Sequence, residues 1–263
     1  MEIVLTESPA EAAECVATEI LKALEAKPNL TLGLATGSTP LQVYERLRAA
    51  KAAGEADFSQ VRTFNLDEYL DLPAGHEQSY RTFMEVHLFE GLGIPAEQIF
   101  FPPSEGKDLV KRCQDYEDAI VAAGGIDIQL LGMGRNGHIG FNEPTSSIRS
   151  RTRVKTLTER TLRDNARFYA EGEEQPTLAS TMGIGTILEA RRILLQAYGL
   201  KKANAVRACV EGPVSSFFPA SALQLHPNTT CFFDPEAGQY LAMTDYYRAT
   251  RANKQALAAS GRM

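Results

Sequence analysis

Hydrophobic positions in this chain follow two alternating rhythms. Compact apolar runs at residues 2–6, 30–35, 61–66, 98–101, 126–131, 192–198 and 229–233 have the length and β-branched content of strands, and residues 152–157 look extended. Between them, apolar residues recur at helical spacing. Ala13, Ala17, Ile20 and Leu24 form one stripe behind Ser8-Pro9-Ala10-Glu11, a capping box with proline in the first turn. Val43, Leu47 and Ala50 line a second helix running to about residue 53, and Leu109, Cys113, Tyr116 and Ile120 line a third within 107–123. Further helical patterns cover 78–90, 159–169, 184–190, 199–209 and 239–260. Strands alternating with helices predict an α/β fold: a Rossmann-like, open, mainly parallel sheet with helices on both faces. No repeat, linker or low-complexity stretch divides the 263 residues, so the pattern predicts one domain. The polar, breaker-rich stretch at 170–176 is the tip of a candidate mobile lid around 157–180.

In such folds ligands bind beyond the carboxyl ends of the strands, so the segments that follow strands carry the candidate chemistry. The second strand runs into Thr36-Gly37-Ser38-Thr39-Pro40, where Ser38 or Thr39 is expected to cap the next helix. Backbone N–H groups and the positive end of the helix dipole also make that turn a candidate phosphate cradle. Asp67 ends the third strand. The run 126–131 leads into Leu-Gly-Met-Gly-Arg-Asn-Gly-His-Ile-Gly-Phe-Asn-Glu-Pro, residues 131–144. Gly132, Gly134 and Gly137 give a tight turn there, since glycine takes φ > 0 at no steric cost. The turn carries Asn136, His138 and Glu143. An imidazole exchanges protons near neutral pH, and a carboxylate can fix its tautomer. Lys202, after the strand at 192–198, is a further candidate for an anion. If the strands pair in parallel, these groups lie along one edge.

Gly132-Met-Gly134-Arg-Asn-Gly137 also spells G-x-G-x-x-G, the dinucleotide fingerprint. That motif requires a helix at the third glycine and an acidic residue about 20 positions on. His138-Ile-Gly-Phe-Asn-Glu-Pro144 is poor helix material, and the chain downstream is basic at Arg149, Arg151, Arg153 and Lys155, so a nicotinamide or flavin cofactor is not expected. A net charge of −6 with no basic run argues against nucleic acid as a partner. The four cysteines, Cys15, Cys113, Cys209 and Cys231, form no C-x-x-C pair and read as reduced core thiols. His76, His87, His138 and His226 have no metal-ligand spacing, so no metal is expected. The start lacks the apolar region of a signal peptide and the chain has no long apolar run, so a cytoplasmic protein without a membrane span is expected.

Residues 131–144, together with Phe64-Asn-Leu-Asp-Glu-Tyr69 and Ala35-Thr-Gly-Ser-Thr-Pro40, closely resemble the glucosamine-6-phosphate deaminase family. The likeness continues through Ser150-Arg-Thr-Arg-Val-Lys-Thr156, Asn165-Ala-Arg-Phe168 and Leu223-Gln-Leu-His226, in the expected order over nearly the whole chain. The resemblance implies conversion of glucosamine 6-phosphate and water to fructose 6-phosphate and ammonia, without a cofactor, in amino-sugar catabolism. By the same resemblance Asp67 would take the C2 proton and return a proton at C1. His138 would open the sugar ring, with Glu143 and Asn136 orienting it, and the phosphate would rest on Gly37, Ser38, Thr39, Arg167 and Lys202. Some members carry Asp where this chain has Asn136; an amide can still hold an imidazole but adds no negative charge.

Hexameric members bind N-acetylglucosamine 6-phosphate between subunits, and Ser146, Arg153, Lys155 and Thr156 match residues of that allosteric site. The resemblance therefore extends to a homo-oligomer with that activator, against which stands a plain solvated basic strand. Two other readings share parts of the pattern. A 6-phosphogluconolactonase-like hydrolase would use the phosphate turn and His138 but has no role for Asp67 as a C–H base. A catalytically silent sugar-phosphate sensor has no reason to keep Asp67, His138 and Glu143 together, and the chain shows no helix-turn-helix segment or basic face.

Overall fold

The computed structural model describes residues 1–73, 75–165, 169 and 174–262. Seven strands form one sheet in which every pairing is parallel. They are β1 (Glu2–Leu5), β2 (Thr31–Leu34), β3 (Arg62–Asn65), β5 (Ile99–Phe100), β6 (Ile128–Gly132), β9 (Arg192–Ala197) and β10 (Thr229–Phe233), in the order β1-β10-β9-β6-β2-β3-β5. Residues 152–157, expected to be extended, supply β7 (Arg153–Thr156) to a second, antiparallel sheet. Its order is β4-β8-β7, with β4 (Asp67–Tyr69) and β8 (Leu178–Thr181).

Two cores explain why helices cover both faces. Strand residues alternate sides. Val4, Leu32, Leu34, Ile128, Leu130, Leu194 and Phe232 point one way, onto α1 (Pro9–Ala26), α2 (Leu41–Ala52) and α3 (Tyr80–Met84) with its π-helical continuation Glu85–Phe89. Phe64, Leu131, Ile193, Leu195, Cys231 and Phe233 point the other way, onto α4 (Leu109–Ala122), α6 (Ile184–Leu188) and α7 (Ala203–Val210). The predicted stripes are the buried ones: Ala13, Ala17, Ile20 and Leu24 in α1, and Val43, Leu47 and Ala50 in α2. The remaining helices are α5 (Glu159–Asn165) and α8 (Thr244–Ala259). No helix among the described residues is long and apolar enough to cross a membrane.

The caps divide. Ser8 Oγ accepts from the Glu11 N–H at 3.2 Å as expected, while the Glu11 carboxylate reaches back to the Glu7 N–H at 2.7 Å. For α2 the expectation fails. Its N-cap is Pro40, and no side chain caps it, so neither Ser38 nor Thr39 closes off the helix start. The first N–H groups of that helix have no intrahelical acceptor.

Glu117 fastens the small sheet to the large one. It extends from α4, is 4% exposed, and accepts from Thr152 N–H at 2.7 Å, Thr152 Oγ1 at 2.5 Å, Thr186 Oγ1 at 2.6 Å and Arg151 Nη2 at 2.6 Å. Burial opposes its ionisation, but the threonine donors and Arg151 outweigh burial and hold the carboxyl below its ordinary range. A depressed carboxyl contributes stability above its unfolded pKa, and that contribution is lost as pH falls through the folded one. We expect Glu117→Ala to cost about 3 kcal/mol in urea unfolding near neutral pH, because it strands several buried donors. The deficit relative to wild type should shrink below about pH 4. A deficit that stays constant down to pH 3 would show that the anion is not what holds the sheets together.

Candidate active site

Strand order reverses between β2 and β6. From β2 the sheet continues through β3 to β5 on one side, and from β6 through β9 to β10 on the other. Such a switch point leaves a crevice at the carboxyl ends of the two central strands. The turn after β2 and the turn after β6 both open there. A Cβ on Gly132 would come within 3.9 Å of Thr39 Cβ, so the two turns are in contact. Gly37 has φ +95° and open space around it, as a backbone cradle requires. Ser38 is exposed and Thr39 half-buried, at the uncapped start of α2. Lys202 reaches the same place from the turn after β9, its ammonium donating to the Met133 carbonyl at 2.6 Å. Of the expected phosphate ligands, Gly37, Ser38, Thr39 and Lys202 therefore share one end of the crevice. Arg167 lies outside the described residues, as does most of the expected lid tip. The flanks of the 157–180 segment are built into structure: Leu157 is buried, and β8 is the central strand of the small sheet.

The turn after β6 differs from its expected geometry in an instructive way. Of the three glycines singled out, only Gly137 has positive φ, at +81°. Gly134 is needed for room instead, because a Cβ there would fall on the His138 imidazole. Gly134 N–H donates to the His138 carbonyl at 2.9 Å, which folds the ring back over the turn. The ring's Nδ1 lies 3.4 Å from Glu143 Oε2. That approach misses hydrogen-bond alignment, and among the described residues buried Nδ1 has no hydrogen-bond partner. Glu143 is 3% exposed. Burial opposes its charge, yet His138, Thr161 and Asn136 together hold its carboxyl at about 2. Asn136 Nδ2 donates to Glu143 Oε2 at 2.7 Å, and its Oδ1 accepts the His138 backbone N–H at 3.2 Å. Asn136 thus orients Glu143 and the backbone, while Glu143 approaches the imidazole. Thr161, which sequence reasoning missed, donates to Glu143 Oε1 from the start of α5.

Asp67 stands across from this turn. It opens β4 and pairs with Thr181 of β8, and a Cβ at Gly140 would lie 3.3 Å from its Oδ2. Asp67 is 6% exposed, and no hydrogen bond to its carboxylate is found among the described residues. Burial, and then the neighbouring Glu68 charge, push its carboxyl up to about 8. The crevice therefore holds a carboxyl with strong affinity for a proton, an imidazole backed by a fixed carboxylate, and an anion cradle. Such a set can abstract a proton from carbon and shuttle another between oxygens.

Asn142 locks the two halves together. It is fully buried, donates to the Ile139 and Met182 carbonyls at 2.9 and 2.8 Å, and accepts from Arg153 Nη1 at 2.9 Å. Arg153 is thereby engaged within the chain, and burial lowers its guanidinium pKa. Along β7, Arg153 and Lys155 share one face and Thr156 takes the other. Ser146 is buried, and its Oγ has no hydrogen-bond partner among the described residues.

Comparison with known proteins gives the chain a family. The family described as glucosamine-6-phosphate isomerases/6-phosphogluconolactonase matches residues 6–232. Glucosamine-6-phosphate deaminase of Shewanella loihica is 54% identical over 259 residues, 98% of this chain and 97% of that protein. The enzyme of the same name from Hahella chejuensis is 52% identical over 248 residues, covering 94% and 95%. The solved structure of a monomeric glucosamine-6-phosphate deaminase has a TM-score of 0.88 at 41% identity, covering 92% of this chain and 100% of that one. The 6-phosphogluconolactonase of Trypanosoma brucei, with a TM-score of 0.74 at 21% identity over 92% of this chain and 98% of that one, shares the fold. The chain belongs to the glucosamine-6-phosphate isomerase/6-phosphogluconolactonase family, and the relatives that match it at about half identity are glucosamine-6-phosphate deaminases.

Proposed function

We propose that this chain converts glucosamine 6-phosphate and water to fructose 6-phosphate and ammonia, with Asp67 as the carbon acid's base. The observation that carries the assignment of roles is the buried Asp67, with no hydrogen bond to its carboxylate among the described residues, beside Gly140 of the turn that holds the His138–Glu143 pair. His138, backed by Glu143, moves the anomeric hydroxyl proton to the ring oxygen and opens the pyranose. Asp67 then removes the C2 proton of the open chain and returns a proton to C1. The resulting C2 iminium adds water, and the amine leaves as ammonia. The phosphate rests on Gly37, Ser38 and Thr39 with Lys202, and Arg167 completes the set. Binding energy from that remote dianion holds a flexible open chain in register with the base. A lactonase has no carbon acid to ionise and leaves Asp67 without work.

Regulation forms the finer part of the proposal. N-acetylglucosamine 6-phosphate would bind at Ser146, Arg153, Lys155 and Thr156 between copies of the chain. The Ser146 Oγ, unpartnered among the described residues, and the two cations on one face of edge strand β7 support it. The monomeric relative shows that one member of this fold works without an oligomer.

A coupled assay of purified protein should release ammonia and fructose 6-phosphate in equal amounts, and Asp67→Asn should abolish both. No release by wild type, with or without N-acetylglucosamine 6-phosphate, would refute the deaminase reading and favour testing a lactone. The same variant should gain stability. A raised carboxyl stabilises the fold fully only below its unfolded pKa, near 4, and loses that contribution as pH rises through its folded value of about 8. The Tm advantage of Asp67→Asn should therefore grow between pH 5 and pH 8, by roughly 2–4 °C per kcal/mol relieved. A variant less stable than wild type across that range would contradict the burial argument. For regulation, velocity against substrate should be sigmoidal and become hyperbolic on adding N-acetylglucosamine 6-phosphate. Hyperbolic curves that the activator leaves unchanged would remove the regulatory part alone.

A further inference from the structure

Asp67 and Glu68 are adjacent but point to opposite faces of β4. Glu68 is 4% exposed, and its carboxylate is spent on backbone. Oε1 accepts from Tyr69 N–H and Tyr80 N–H at 2.9 Å each, and Oε2 accepts from Arg81 N–H at 2.8 Å. The first turn of α3 is thus clamped to β4 by a residue twelve positions earlier, in addition to its own cap, Ser79 Oγ, which accepts from Thr82 N–H at 3.1 Å. Clamping fixes Tyr80. Its ring lies 4.9 Å from that of Tyr69 and is stacked on Phe141 at 5.9 Å, with the planes 13° apart. Its hydroxyl is 3.5 Å from the Tyr69 hydroxyl. Tyr69 shares a face of β4 with Asp67, and Phe141 follows Gly140, where a Cβ would lie 3.3 Å from Asp67 Oδ2. The Tyr80 side chain is therefore packed against the elements that carry the proposed base, at that end of the crevice.

Resting on the deaminase reading, we propose that Tyr80 contacts the carbon chain of the sugar phosphate through its hydroxyl, and that Glu68 is the positioning residue that holds it there. The phenol is a neutral donor beside sugar hydroxyls, and the Tyr69–Tyr80–Phe141 stack keeps it from turning away. Glu68 touches no substrate; it acts through the backbone of α3.

Calorimetric titration with two probes tests this without turnover: glucitol 6-phosphate, an open-chain polyol phosphate, and inorganic phosphate, which fills the cradle alone. Tyr80→Phe keeps the ring stack and should weaken glucitol 6-phosphate about three- to tenfold, the range for one neutral hydrogen bond, while leaving inorganic phosphate unchanged. Glu68→Gln should do the same, and should add little in the Tyr80→Phe background if it works through Tyr80. Should Glu68→Gln fail to fold, Tyr80→Phe decides the contact by itself. Unchanged glucitol 6-phosphate binding in Tyr80→Phe, or equal weakening of both probes, overturns the proposal. Wild-type protein that binds both probes alike overturns it too. Wild-type protein that discriminates between them in a Tyr80-dependent way but releases no ammonia from glucosamine 6-phosphate supports the contact and refutes only the parent reading.

Discussion

Two buried carboxyl groups in one crevice are driven to opposite charge states by what surrounds them, and the rest of the architecture serves that difference. Asp67 has been taken out of water with a negative neighbour and no donor among the described residues, so it favours its proton. Glu143 is buried as deeply, yet His138, Thr161 and Asn136 converge on it and hold its carboxyl at about 2, which favours the charged form. In the proposed mechanism, separated affinities of this kind divide labour between a group that exchanges a proton with carbon and a group that fixes an imidazole. The arrangement needs a rigid wall behind each carboxyl. The small antiparallel sheet provides it for Asp67 and the glycine turn for Glu143, while Asn142 ties the two together.

Placing these groups in one crevice follows from the order of the strands. Reversal at β2 and β6 parts the loops at the centre of the parallel sheet, so the turns at 36–40 and 132–137 face each other instead of being covered by a crossover. The failed cap of α2 belongs to the same logic. A serine or threonine side chain on the first N–H groups would compete with an anion for them, and Pro40 at the N-cap leaves them open. A local rule broken at a strand-to-helix turn is here a mark of the site.

Most of the frame was legible in the sequence because each element obeyed one period. The strand at Thr229–Phe233 and the stripes of α1 and α2 lie where alternation and helical spacing put them. The second sheet was not legible. Asp67–Tyr69 and Leu178–Thr181 are too short to show a period, and what makes them strands is pairing between segments more than a hundred residues apart. The site divided in the same way. Asp67, His138 and Glu143 carry chemistry in their residue types and announce themselves. Thr161 and Tyr80 do not: a threonine in a helix start and a tyrosine after a serine cap look like ordinary helix residues until tertiary contacts bring them to Glu143 and Tyr69.

The glycines of the 132–140 turn show how far a motif can be separated from its usual meaning. In a dinucleotide fold the same spacing lets a backbone approach a pyrophosphate at a helix start. Here Gly137 supplies a left-handed turn, Gly134 leaves space for the His138 ring, and Gly140, at φ +55°, leaves space for Asp67 and Thr181. Of the motif's own glycines Gly134 thus makes room for the His138 ring, Gly140 just beyond the motif does the same for Asp67, and none of them opens a helix. Enlarging Gly134 or Gly140 would act on His138 or Asp67 directly, without touching a substrate. The likeness to a nucleotide loop is therefore one of letters: here the glycines at 134 and 140 answer to where an imidazole and a carboxyl sit.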